Sequence, residues 1–281
     1  MTDVSGRNTA DGRLRDLVSA EERAVVPAQP KRQALAEDLG NNALGFVNGL
    51  IKRTLSAGKK RRKKSYTVTF EDVSKVFRNP AGTKWVLRDV SFQVPRGKSL
   101  AILGKNGVGK SSLMKLIAGV IPPTRGDITR MARISWPLGM ASGFSAPTSA
   151  RDNCNFVSRI YGADVDEVTE FVREFSELGA YFDAPVKSYS PGMRARLAFG
   201  LSMAIDFDCY LIDEATSVGD KRFREKCEEV FALRRKKSDV IMISHNEETL
   251  RAYCDIAAVL NNGKLRFFDD MDEAFALYKR L

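Results

Sequence analysis

The residues that could do chemistry are concentrated between 104 and 112. They are Gly104, Lys105, Asn106, Gly107, Val108, Gly109, Lys110, Ser111 and Ser112. A short apolar run, Leu100 to Leu103, precedes them. Leu113, Met114, Leu116 and Ile117 follow at helical spacing until Gly119. Strand, G-x-x-x-x-G-K-S, helix is the context in which this spacing binds phosphate. The glycines let the backbone curl so that successive N–H groups face inward onto phosphate oxygens. The helix that follows directs its positive end at the same anion. Lys110 can reach β- and γ-phosphates, and the Ser111 hydroxyl can ligate Mg²⁺. An ordinary glycine-rich turn needs none of these constraints.

Other residues could complete such a site. Phe207 to Glu214 (FDCYLIDE) is an apolar strand ending in two adjacent carboxylates. Neighbouring side chains on a strand point apart, so Asp213 and Glu214 need different jobs. Asp213 at the strand tip can hold Mg²⁺, and Glu214 can polarise an attacking water or accept its proton. His245 is the only histidine in the chain and ends the apolar run Val240 to Ser244, where an imidazole could donate to a γ-phosphate. Ser190-Pro191-Gly192 opens a helix, which is either a simple N-cap or a second anion site. Phe77 is either a core aromatic or a platform for adenine.

These groups need elements to position them, and the remaining patterns supply them. Tyr66 to Phe70 and Val86 to Val94 read as strands, with Phe77 between them. Pro122 to Asp127 reads as a turn, with a strand beginning at Ile128. Residues 151–183 carry apolar positions at helical spacing, and a helix spans Met193 to about Met203. Asn261-Asn262-Gly263 between two apolar runs predicts a hairpin. A helix from Asp272 to Tyr278 follows.

Composition bounds the setting. The chain has 281 residues and a formal net charge of +10. Residues 1–65 hold 14 Lys/Arg against 7 Asp/Glu, so most of the excess lies there. No window is apolar enough to cross a membrane, and residues 1–20 lack the apolar core of a secretory signal. The expectation is a protein of the cytosol whose membrane passage belongs to a partner. Cys154, Cys209, Cys227 and Cys254 form no C-x-x-C pair and read as free thiols.

Residues 1–64 form an extension. Its first thirty residues lack periodicity and read as disordered. Leu35, Leu39, Ala43, Phe46, Val47, Leu50 and Ile51 then share one helical face, and residues 59–64 read KKRRKK. Helix plus basic run suits adsorption to anionic lipid through residues 33–64, or serves as a solvated linker. A nucleic-acid arm is not expected, since the rest of the chain is near neutral.

In order, the motifs resemble those of the nucleotide-binding subunit of an ATP-binding-cassette transporter. GKNGVGKSS is similar to Walker A, CYLIDE (209–214) to Walker B and YSPGMRARLAFG (189–200) to the cassette signature. SVGD (217–220) is similar to the D-loop and SHN (244–246) to the switch histidine. The resemblance covers 65–281. It implies an α/β P-loop NTPase (ABC ATPase) with a mixed sheet core, an antiparallel β subdomain and a helical subdomain inserted at about 140–205. ISWPLG (134–139), SARDNCNFVSRIYG (149–162) and DEATSVGDKRF (213–223) are similar to capsular-polysaccharide export ATPases.

That resemblance implies ATP and Mg²⁺, a homodimer, and a separate membrane permease, with the chain peripheral on the cytoplasmic face of the inner membrane. ATP would lie between Lys110, Ser111 and Asp213 of one copy and Ser190 and Gly192 of the other, with Asp220 in the D-loop. Ser145 aligns with a metal-contacting Gln of the family and is shorter. Pro191 stands where the signature usually has glycine, which removes one backbone donor. Other readings are export of O-antigen, teichoic acid or a drug, and a cassette ATPase acting on ribosomes or DNA.

Overall fold

The computed structural model describes residues 65–80, 82–138, 144–213 and 220–281. The expected extension, with its helix over 35–51 and basic run, lies outside them. So does Glu214.

Two sheets organise the described chain. β1 (Tyr66–Asn79), β2 (Gly82–Pro95) and β4 (Arg125–Arg130) form an antiparallel sheet in the order β2-β1-β4. The second sheet has six strands in the order β5-β6-β7-β3-β8-β9. They are β3 (Leu100–Leu103), β5 (Ile134–Leu138), β6 (Cys209–Asp213), β7 (Asp239–Ile243), β8 (Ile256–Asn261) and β9 (Lys264–Phe268). All run parallel except β9, which turns back on β8. This is the mixed core with an antiparallel companion that the motif order implied.

Seven α-helices complete the described residues. α1 (Lys110–Ala118) follows β3. α2 (Ala150–Tyr161), α3 (Val165–Ser176) and α4 (Pro191–Ala204) fall between β5 and β6. α5 (Lys221–Arg235), α6 (Glu247–Tyr253) and α7 (Met271–Lys279) follow.

The parallel strands are buried on both faces, and alternation sends their side chains to two cores. Leu100 and Ile102 of β3, with Ile241 and Ile243 of β7, join α1 and the antiparallel sheet. Ala101, Leu103, Val240 and Met242 join the core beneath the remaining helices. Phe70 stacks on Phe92 at a centroid spacing of 4.2 Å, and Phe92 meets Phe267 in a tilted contact at 5.0 Å, which sews the two sheets together.

Local signals explain several element ends. Asn262 and Gly263 both take positive φ, 47° and 77°, between the paired Asn261 and Lys264. That is the two-residue turn an Asn-Gly dipeptide favours. Two details differ from the sequence reading. Phe77 lies inside β1 rather than between strands, because β1 and β2 pair continuously to Asn79 and Gly82. β4 starts at Arg125, within the stretch read as a turn, because Gly126 can take φ 80° there.

A Cβ at Gly126 would stand 2.3 Å from the Asp72 carbonyl oxygen. Gly126→Ala therefore adds backbone strain to a clash that no flexible side chain can relieve. The expected cost is about 2–4 kcal/mol, read as a lower denaturant midpoint. A midpoint unchanged within error would show that β1 and β4 can separate at no cost.

All four cysteines are free and buried. Burial pushes the thiols of Cys154, Cys227 and Cys254 up to about 12 and that of Cys209 well above its ordinary value.

Candidate functional site

Three neighbouring strands deliver the site. β7 lies between β3 and β6, and all three run the same way, so their carboxyl ends open on one side. Ligands of open α/β sheets bind at that edge. The loop 104–109 leaves β3. Asp213 ends β6 opposite Ile243, and His245 follows β7 by two residues. Asn106, Gly107, Gly109, Lys110, Ser111, Ser112, Asp213 and His245 all line one cleft of about 390 Å³, together with Phe77. That size falls within the range of small-molecule sites.

The loop has the backbone that its spacing demands. Gly104, Gly107 and Gly109 take φ of 154°, 74° and 119°. Gly104 is pressed on the Leu260 carbonyl, where a Cβ would stand 2.7 Å away, and Gly109 is pressed on Val86 at 2.5 Å. Gly107 faces open space. Lys110 is nearly buried and folds back over the loop. Its Nζ donates to the carbonyl oxygens of Gly104 at 2.6 Å and Lys105 at 3.3 Å.

The start of α1 differs from every other α-helix start described. Ser149, Asp164, Ser190, Asp220, Asn246 and Asp270 each cap their helix with a side-chain oxygen. α1 has Gly109 at that position, no side-chain cap and no acidic residue in its first turn. The helix thus opens without a side-chain cap, and its first residues line the cleft, which is the arrangement that takes an anion.

The residues beside His245 in the chain are tied to one another and to α6. Asn246 donates its N–H to Ser244 Oγ at 3.1 Å, and its side chain accepts from Thr249 N at 2.9 Å. The oxygen donors Ser111 and Asp213 share the cleft. Among the described residues no three His, Cys, Asp or Glu side chains gather to hold a metal unaided. A sparse set of hard oxygens beside a phosphate loop suits Mg²⁺, which takes its remaining oxygens from phosphates and water.

Seven expected site residues among those described are not in the cleft lining: Gly104, Lys105 and Val108 of the loop itself, and Ser145, Ser190, Gly192 and Asp220 away from it. Ser190 caps α4 and accepts from Met193 N at 3.2 Å, with Gly192 exposed beside it. Pro191 sits at the first helical position, where its missing N–H costs no intrahelical bond. Asp220 caps α5, accepting from Phe223 N at 2.9 Å, and pairs with Arg196 of α4 at 3.0 Å. The Phe223 N–H and then Arg196 hold its carboxyl below the usual range. Ser145 is fixed to α2 by Asn153, whose amide takes the Ser145 N–H at 2.8 Å and donates to its carbonyl at 3.2 Å.

Lys84, Val86 and Ile243 line the cleft without any role in the sequence reading. Only strand register reveals them, and no local motif marks them.

Solved cassettes share this architecture. A dimeric ATP-binding cassette in a post-hydrolysis state, bound to ADP and phosphate, superposes with a TM-score of 0.58 at 18% identity. The match covers 72% of this chain and 97% of that one. The fold is therefore that of an ATP-binding cassette.

Sequence comparison narrows the class. The profile of the ABC transporter family matches residues 87–217. The capsule polysaccharide export ATP-binding protein CtrD of Neisseria meningitidis serogroup B is 48% identical over 214 residues. That is 76% of this chain and 99% of CtrD. The polysialic acid transport ATP-binding protein KpsT of Escherichia coli is 46% identical, over 76% of this chain and 99% of KpsT. The chain belongs to the ABC transporter family, as one of its ATP-hydrolysing, ATP-binding subunits. Among the described residues no helix is long and apolar enough to cross a membrane.

Proposed function

We propose that this chain powers the export of a capsular or related lipid-linked polysaccharide across the inner membrane, through a permease on a separate chain. The near-complete coverage of CtrD and KpsT at close to half identity supports that cargo class. The observation that carries the mechanism is the split of the expected site. Lys110, Ser111, Asp213 and His245 share a cleft, while Ser190, Gly192 and Asp220 are not among its lining residues.

A second copy placed head-to-tail would bring its Ser190 and Gly192 to the same nucleotide. The loop N–H groups and Lys110 hold the β- and γ-phosphates, and Phe77 carries the adenine. Glu214 accepts the proton of the attacking water, and His245 donates to the γ-phosphate. Asp220 would serve by fixing the start of α5 at the contact between copies. Ser111 and Asp213 would hold Mg²⁺, with Ser145 through water, and the ion would neutralise phosphate charge. A site completed only on closure ties hydrolysis to movement of the permease.

The peripheral position on the cytoplasmic face belongs to the same reading, with residues 33–64 bound to anionic inner-leaflet lipid. The test is disruption of the gene and complementation. Loss of cell-surface glycan, restored by the intact chain and not by Lys110→Ala, is the expected result; an unchanged glycan coat would refute the cargo. Removal of 33–64 should leave less protein in the membrane pellet, and an unchanged distribution would end the lipid reading.

A further inference from the structure

Lys84 lines the nucleotide cleft, and its place there follows from register. Phe77 of β1 lies directly opposite Lys84 of β2. Side chains of opposed residues share a face, so ring and ammonium stem stand side by side. Val76 pairs with Trp85, but Lys75 pairs with Leu87, which leaves Val86 as the extra residue of a β-bulge. Bulges re-aim side chains beside active sites. Here Val86 abuts Gly109 of the phosphate loop.

One wall of the cleft thus runs from Phe77 and Lys84, past Val86, to Gly109. Residues two apart on a strand are about 7 Å apart. A nucleotide with its base on Phe77 and its β- and γ-phosphates in the loop must lay its ribose and α-phosphate along that interval. Lys84 is exposed and carries a compact charge on a flexible four-carbon stem, so it can follow an oxygen there.

We propose that Lys84 is a second cation of this site and donates to an α-phosphate oxygen. The inference rests on the nucleotide reading above. ATP and ADP present the same α-phosphate, and its contacts do not change as the γ-phosphate leaves. Lys84 therefore contributes uniform binding, which sets KM and leaves kcat alone.

The test uses the full chain with Lys84→Met, Lys84→Gln and Lys84→Arg, titrated with ADP, ATP and 2′-deoxy-ADP. Met and Gln should weaken all three by one factor, roughly tenfold, the size of a lost hydrogen bond to a charged group. KM for ATP should rise equally with kcat unchanged, and Arg should recover most of the loss. Unaltered dissociation constants would overturn the inference, as would a fall in kcat at constant KM. A loss that vanishes with 2′-deoxy-ADP would move the contact to the ribose and overturn it too. If the native chain binds nucleotide, Lys110→Ala binds it roughly 10- to 100-fold more weakly, and Lys84→Met binds it as before, only the Lys84 inference falls. If the native chain binds none, the nucleotide reading falls with it. Matching unfolding temperatures without nucleotide establish that the variants are folded.

Discussion

Glu214→Gln should abolish steady-state ATP turnover while nucleotide binding persists. Asp213 ends β6 and lines the cleft, and Glu214 is the next residue in the chain. Glutamine keeps the size of the side chain and removes the basic oxygen. Loss of a positioned general base costs roughly 10²- to 10⁴-fold in rate. ATP would then stay intact and hold two copies together, because the step that parts them never comes. Phosphate release and gel filtration with ATP and Mg²⁺ measure both consequences. Turnover at the native rate would remove Glu214 from the mechanism. Lost turnover without an ATP-dependent dimer would separate closure from hydrolysis.

Lys110→Ala should act one step earlier, on affinity. The Lys110 ammonium is nearly buried and donates to two carbonyls of its own loop. Alanine removes the cation proposed to meet the phosphates and also leaves the Gly104 and Lys105 carbonyls without that donor. A hydrogen bond to a charged group is worth about 1.5–3 kcal/mol, so ADP and ATP should bind roughly 10- to 100-fold more weakly. Titration calorimetry decides it. A dissociation constant unchanged from the native chain would contradict the assigned role.

How much of this was legible in the sequence depends on how local each feature is. The strand, loop and helix over 100–118 could be read because every constraint falls within some twenty consecutive residues. The Asn262-Gly263 hairpin was legible for the same reason, since two dihedrals decide it. β6 and β7 were found as apolar runs, and their tips supplied Asp213 and His245. The family resemblance added Ser145 and Asp220 by motif order alone, and it placed Ser190, already legible as a helix start, in a partner's site. Their present partners, Asn153, Met193 and Arg196, lie on helices whose packing no short window encodes.

The cleft wall was illegible for a physical reason. Val86 reaches Gly109 only because the pairing of β1 with β2 slips by one residue. Side-chain period along a strand is two, so one extra residue changes what faces the site. Pairing between residues nine or more apart sets that slip, and neither strand announces it. Lys84 became visible only once its partner Phe77 was known. β5 has no aliphatic run to mark it as a strand, because Ser135, Trp136 and Pro137 interrupt it.

The four inward-facing sulfurs have a practical corollary. Alkylating reagents react with thiolate, and groups this shielded and this weakly acidic supply almost none near neutral pH. A cysteine introduced at an exposed position would accordingly take a fluorophore or spin label in the unaltered background. One probe per copy could then follow the separation of two copies, second by second, as nucleotide arrives and is consumed.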